Sequence, residues 1–247
     1  MPNYLTTSSG RRIAYEKSAG NAPGVVFLGG FVSDMQGTKA THLQAWAKAT
    51  GRAFLRFDYS GHGQSSGAFT DGCIGDWVHD AAAVIKAATD GNQILVGSSM
   101  GGWISLILAT EILDKICGIV GISTAADFTE DDFWDGFTEN QRRDLQKFGQ
   151  VAMPSDYGEP VIITRRLIED GRRHLVLRRP LPLPFPVRLL HGTEDSSVDP
   201  TVPLRILAHA SGDDIRLTLV KGANHSFSSP ECLSLIESAL QQVIDRA

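Results

Sequence analysis

Gly97-Ser98-Ser99-Met100-Gly101 sets a serine midway between two glycines. A serine hydroxyl is a weak nucleophile until a base takes its proton, and the base needs an acid to hold it in place. The C-terminal part of the chain supplies both. His191-Gly192-Thr193-Glu194-Asp195 follows one apolar run, and Gly222-Ala223-Asn224-His225 follows another. The order Ser99, Asp195, His225 suits acyl transfer, with Ser99 attacking a carbonyl, His225 as base and Asp195 orienting the imidazole. The oxyanion formed by that attack needs two N–H donors. The amide of Met100, at the start of an expected helix, is one candidate. The amide of Phe31, in the loop Gly29-Gly30-Phe31, is the other.

Rival residues have other readings. The seven histidines are at positions 42, 62, 79, 174, 191, 209 and 225. His42, His79 and His209 fall in helical patterns and read as structural or solvent-facing. His62 follows a strand but precedes the serine. His174 lies in a stretch expected to be inserted. His191 starts its turn directly after a strand and reads as a structural hydrogen-bonding group. Glu194 and Asp199 flank Asp195 as alternative acids. A glycine-rich turn can also contain this serine pattern by chance, so the flanking elements decide its meaning.

Those elements are regular. Gly24 to Leu28, Ala53 to Phe57, Gln93 to Val96, Gly118 to Ile122, Val187 to Leu190 and Ile215 to Val220 read as strands. Several are apolar at successive positions, which implies burial on both faces of a parallel sheet. Helical spacing runs from Thr38 to Thr50 and from Ile74 to Ala88. Gly102 to Leu113 is apolar nearly all round, and Pro230 opens a last helix with Leu233, Ile236, Leu240 and Val243 on one face. Tyr4 to Thr7 and Arg12 to Glu16, around Ser8-Ser9-Gly10, read as an edge hairpin. The serine thus sits between a strand and a helix, as a nucleophile elbow requires.

Residues 127–186 break the alternation. The sequence predicts a core in two parts, 1–126 and 187–247, with 127–186 inserted as a small lid that ends in Pro180, Pro182, Pro184 and Pro186. The alternative is an ordinary crossover containing a long helix. Phe128, Phe133, Trp134, Phe137 and Phe148 would line an acyl pocket or form the lid's own core. Arg165, Arg166, Arg172 and Arg173 would meet an anionic leaving group or form a solvated basic face.

The 247 residues carry a net charge of −5, so no basic field recruits nucleic acid. Three dispersed cysteines argue against a disulfide framework or a structural zinc. No apolar run approaches the roughly 18 to 20 residues of a membrane span. The first residues show no basic segment followed by an apolar one. The expectation is a cytoplasmic enzyme with no metal or organic cofactor.

The strand, serine motif and helix, with the late Asp195 and His225, resemble the α/β-hydrolase fold. Three stretches sharpen the likeness: Gly30 to Ala40, Arg56 to Ser65, and Gly97 to Trp103. With Met153-Pro154-Ser155-Asp156-Tyr157 and Arg188 to Gly192, they resemble the subfamily of mitochondrial palmitoyl-protein thioesterases that also cleave an acyl glucuronide. The resemblance implies an eight-stranded, mostly parallel sheet with helices on both faces and a lid after the sixth strand. It also implies Ser99 as nucleophile, Asp195 as acid, His225 as base, and Phe31 and Met100 as oxyanion donors. The lack of a visible transit segment points to a bacterial relative. The substrate implied is a small-molecule ester, an acyl thioester or an S-acylated protein. Two other readings stay open: the same three side chains could cleave a carbon–carbon bond or an amide, or the fold could bind a ligand without catalysis.

Overall fold

The computed structural model describes residues 1–154 and 160–247. The chain opens with the hairpin β1 (Asn3–Thr6) and β2 (Arg12–Ser18). It continues through β3 (Asn21–Leu28), α1 (Thr38–Ala49), β4 (Arg52–Phe57), α2 (Ile74–Ala88), β5 (Gln93–Ser98), α3 (Met100–Glu111) and β6 (Ile116–Ile122). After β6 come α4 (Glu139–Phe148), β7 (Gln150–Met153), β8 (Val161–Thr164) and α5 (Arg165–Gly171). The chain then returns through β9 (Val187–Gly192), α6 (Thr201–His209), β10 (Ile215–Val220) and α7 (Pro230–Ile244).

Eight strands form one sheet in the order β1-β2-β4-β3-β5-β6-β9-β10. The pairings of β2 with β1 and with β4 are antiparallel. The remaining pairings are parallel. This is the α/β-hydrolase architecture expected from the sequence. Its register matters for function. Leu28 pairs with Gly97, Ser98 with Ile122, Ile122 with Leu190, and Gly192 with Val220. The C-terminal ends of β3, β5, β6, β9 and β10 therefore reach one edge of the sheet, where open α/β sheets bind ligands.

Successive apolar residues bury on opposite faces, since strand side chains alternate. Val26, Leu28 and Leu95 pack with Trp77 and Val84 of α2 and with Trp103 and Ile104 of α3. Val25, Phe27, Ile94 and Val96 pack on the other face with Leu43 and Ala47 of α1 and with Ile236, Leu240 and Val243 of α7. Ser229 caps α7 by accepting the amide N–H of Cys232 at 3.2 Å, and Pro230 follows as the first helical residue. That start matches the sequence reading.

Residues 127–186 leave the sheet and return to it. They contain a π-helical turn (Thr129–Trp134), α4, and the antiparallel hairpin of β7 with β8. Asp127 ties the beginning of this segment to its end. Its fully buried carboxylate accepts the N–H of Val176 at 2.8 Å and of Leu177 at 3.1 Å, and pairs with Arg178 at 2.7 Å. Trp103 Nε1 donates to the carbonyl of His174 at 3.2 Å, fixing the same segment to α3. Ser155, Asp156 and Tyr157, part of the sequence resemblance, lie outside the described residues. Among the described residues no helix is long and apolar enough to cross a membrane.

Leu240 is fully buried between α7 and the sheet. Leu240→Ala should cost about 2–5 kcal/mol of stability. Urea unfolding checks this, and an unchanged midpoint would contradict the packing described.

Candidate active site

Ser99 joins β5 to α3 with φ 55° and ψ −118°, a backbone region that L residues rarely occupy. The turn is held on several sides. Ser99 N–H donates to the Ile122 carbonyl at 2.8 Å, and its own carbonyl accepts from Gly102 at 2.9 Å and Ala125 at 3.2 Å. Only glycine fits on either side. A methyl group on Gly97 would lie 2.3 Å from the Gly101 carbonyl oxygen, and one on Gly101 would lie 2.1 Å from that of Leu28. The motif spacing thus reports two close backbone contacts around one strained residue.

Two amides border this serine. Met100 is the first residue of α3, so its N–H has no acceptor within the helix. The peptide after β3 approaches from the other side: a methyl group on Gly30 would lie 3.4 Å from Ser99 Cβ. Among the described residues the amide of Phe31 donates to no other backbone group. The ring of Phe31 is wedged edge-on against Phe69, Trp77, Phe128 and Phe133, with centroids 4.9 to 6.0 Å away. Asp58 fixes the rest of that loop. Its carboxylate accepts the amides of Met35 at 2.6 Å and Gln64 at 2.9 Å. Burial raises the Asp58 pKa against those two hydrogen bonds.

Asp195 and His225 come from the turns after β9 and β10. The turns interlock: Glu194 N–H donates to the Ala223 carbonyl at 3.0 Å, and Gly222 N–H donates to Thr193 Oγ1 at 3.0 Å. Asp195 Oδ1 accepts the amides of Ser197 and Val198, each at 2.9 Å. His225 Nδ1 lies 3.0 and 2.9 Å from the two carboxylate oxygens. Facing a carboxylate, Nδ1 carries the proton, which leaves Nε2 as the free imidazole nitrogen. Burial pushes the Asp195 carboxyl up. The hydrogen bond and charge of His225 and the two amides outweigh that, so it lies below the usual carboxylate range.

Ser99 and His225 line one cavity of about 740 Å³, within the range of ligand pockets. No hydrogen bond joins Ser99 Oγ to His225 among the described residues; such contacts are often long before substrate binds. Phe128, Phe133, Met153, Val161 and Ile163 give the cavity an apolar wall, while Ser33, Lys39, Ser197 and Ser226 add polar groups.

The structure separates the other candidates. His191 lies within β9 rather than in the turn after it. It is fully buried and makes the structural hydrogen bond expected of it, to the Val198 carbonyl at 3.1 Å, with the same nitrogen 3.7 Å from Asp195 Oδ2. Burial lowers its pKa. His62 is buried against Tyr59, Phe69 and Trp77, with Nδ1 on the Ser60 carbonyl, and does not line the cavity. His174 lies 3.6 Å from Asp170, and His42 pairs with Glu237. His209 bonds the Arg179 carbonyl, and His79 is exposed. Glu194 and Asp199 are exposed, and Asp199 accepts the Thr201 amide.

Of the five aromatics singled out in residues 127–186, Phe128 and Phe133 line the cavity. Phe137 stacks behind Phe133, Trp134 lies under Arg172, and Phe148 is exposed. None of the four arginines lines the cavity. Arg165, Arg166, Arg172 and Arg173 face Glu169, Asp76, Glu130 and Asp170 respectively. Sequence reasoning missed Asp58, the hairpin residues of the apolar wall, and the amides holding Asp195. A signal for the last was present: an aspartate commonly accepts amides two or three residues on.

A fold of this topology with a serine at the β5–α3 turn defines the α/β-hydrolase class. The family profile described as Serine aminopeptidase, S33 (Hydrolase_4) matches residues 22–170. The chain belongs to this family, and within it to the group of the palmitoyl-protein thioesterase ABHD10. It is 33% identical to the mitochondrial ABHD10 of Homo sapiens over 99% of this chain and 80% of that one. The solved structure of mouse ABHD10 superposes with a TM-score of 0.92 at 31% identity, covering 99% of this chain and 98% of that one. A crystal structure from Agrobacterium vitis S4 gives 0.95 at 37% identity over 99% and 98%. These likenesses overturn the cytoplasmic expectation. The ABHD10 relatives are named as mitochondrial, and dispersed free cysteines do not select a compartment.

Two outcomes follow from the geometry. Gly101→Ala should lower stability by about 3 kcal/mol or more, because the obstructing atoms are backbone; an unfolding midpoint like that of the parent would contradict the close contact. The folded state favours the charged form of Asp195, so its stabilisation is complete above the unfolded carboxylate pKa and fades as pH falls through the lower folded value. Relative to Asp195→Asn, the parent protein should lose stability only below about pH 4. Chemical unfolding from pH 7 to pH 3 tests this, and a relative loss beginning near pH 6 would contradict it.

Proposed function

We propose that this α/β hydrolase cleaves acyl thioesters and carboxylic esters through a covalent acyl-serine. The observation that carries the reading is the Asp195–His225 pair opening onto the cavity that holds Ser99 at its strained turn. Ser99 Oγ attacks the acyl carbonyl carbon as His225 Nε2 takes its proton. The tetrahedral oxyanion accepts the amide N–H groups of Phe31 and Met100. The carbon–sulfur or carbon–oxygen bond then breaks, and His225 returns the proton to the departing thiol or alcohol. Water, deprotonated by the same nitrogen, attacks the acyl-serine and releases the acid. Asp195 keeps the imidazole in the required tautomer and stabilises its cationic form.

The apolar wall of Phe128, Phe133, Met153, Val161 and Ile163 suits an acyl chain. Residues 127–186 act as the lid over it, closed at its base by Asp127. Thioester substrates receive further support from the names of the ABHD10 relatives. The carbon–carbon and amide alternatives have no feature of the cavity in their favour.

Ser99→Ala should reduce kcat on an octanoyl thioester by about 10⁴- to 10⁶-fold with the fold intact. Steady-state kinetics alongside a p-nitrophenyl ester series, a diketone and a peptide amide test both nucleophile and bond class. Substantial thioester turnover by folded Ser99→Ala would refute the assignment, and faster cleavage of the amide or the diketone would replace the bond class.

A further inference from the structure

Two charged side chains in the cavity wall, Lys39 and Asp132, take no part in the reaction above. Lys39 is the second residue of α1, and its Nζ donates to the Ser226 carbonyl at 2.5 Å. Ser226 follows His225, so the ammonium stands beside the base. A carbonyl satisfies one N–H but cancels no charge. Among the described residues Lys39 forms no ion pair with any carboxylate, Asp132 included. The first turn of α1 contains no acidic residue, and its N-cap is Gly37.

Lys39 is half-buried, and a partly desolvated cation without a counter-charge gains from an anionic partner. Burial lowers the pKa of Lys39, opposed only by the Cys232 thiol. Asp132 belongs to the 127–186 segment, away from α1 in sequence, and is an exposed carboxylate between residues of the apolar wall. The cavity therefore has a largely apolar side supplied by 127–186, with Asp132 as its one carboxylate among the described residues, and a cationic corner at Ser226, next to His225 in the chain. During acyl transfer the leaving group departs on the side of the base that protonates it. A charge next to His225 meets that group rather than the acyl chain.

We propose that Lys39 is a specificity residue whose ammonium binds a carboxylate or phosphate on the leaving group, so that acyl compounds with an anionic leaving group are the preferred substrates. This rests on Ser99, His225 and Asp195 forming the hydrolytic centre. The contact is an ion pair and transfers no proton. Lys39 holds the Ser226 carbonyl while the site is empty and adds the anion to its remaining N–H groups when substrate enters.

The test keeps the acyl group fixed as octanoyl and varies the thiol. One pair is 3-mercaptopropionate and its neutral methyl ester, and the other is phosphopantetheine and pantetheine. The two pairs distinguish carboxylate from phosphate. For at least one pair, the parent protein should favour the anionic member by about tenfold or more in kcat/KM, mainly through KM. Half-molar salt should shrink that preference. Lys39→Met should abolish the preference, and Lys39→Arg should retain most of it. Equal cleavage of both members of each pair by the parent overturns the role of Lys39 and leaves hydrolysis standing. So does an equal proportional loss on both members in Lys39→Met, which is what losing the Ser226 contact alone would produce. Failure to cleave any of the four thioesters overturns the hydrolytic reading and this role together.

Discussion

The backbone at Ser99 is the constraint on which the remaining geometry depends. A residue at φ 55° and ψ −118° costs about 1–3 kcal/mol and persists only where its surroundings leave no alternative. Here β5 is buried along its whole length, α3 packs against the sheet behind it, and Gly97 and Gly101 allow backbone to approach within contact distance. The two hydrophobic layers on either face of the sheet sustain that strain. They keep strand and helix in register while the turn between them stays out of its relaxed conformation. The hydroxyl is thereby presented at the sheet edge, beside the first free amide of α3.

The same edge explains how distant parts of the sequence meet. Parallel pairing brings the ends of β3, β5, β9 and β10 level, so each following loop opens into one space. Electrostatics then refine what topology brings near. Asp195 is sheltered from water, yet two amides and His225 favour its charged form. His191, four residues earlier, approaches the same carboxylate at 3.7 Å but is fully buried and hydrogen-bonds the Val198 carbonyl. Two neighbouring histidines thus occupy different environments through small differences in burial and partner.

Much of this was legible in the sequence, because strand and helix periodicity is strong where both faces of a sheet are covered. The six long strands, the edge hairpin and α2 follow from apolar spacing, and the start of α7 from Pro230 ahead of its apolar face. The residues chosen for chemistry, Ser99, Asp195, His225, Phe31 and Met100, come to one region because each follows a strand end or starts a helix. Residues 127–186 were harder to read. Strands β7 and β8 have four residues each, too short for a periodic signal, and α4 buries only Leu145. Thr138, Gln141 and Gly149 mark the ends of α4 as a capping box and a left-handed C-cap. The apolar wall joins that segment to the core, and Lys39 reaches the cavity from a helix on the other part of the chain. Both are tertiary facts without a local pattern. Composition was also a poor guide to compartment, since free thiols and modest charge fit more than one.

The most direct measurement is peptide mapping by mass spectrometry after treatment with a fluorophosphonate, which phosphonylates an activated serine. The account predicts one adduct per chain, located on Ser99, with labelling strongly slowed in His225→Ala. An unlabelled folded protein, or an adduct on another serine, would contradict it.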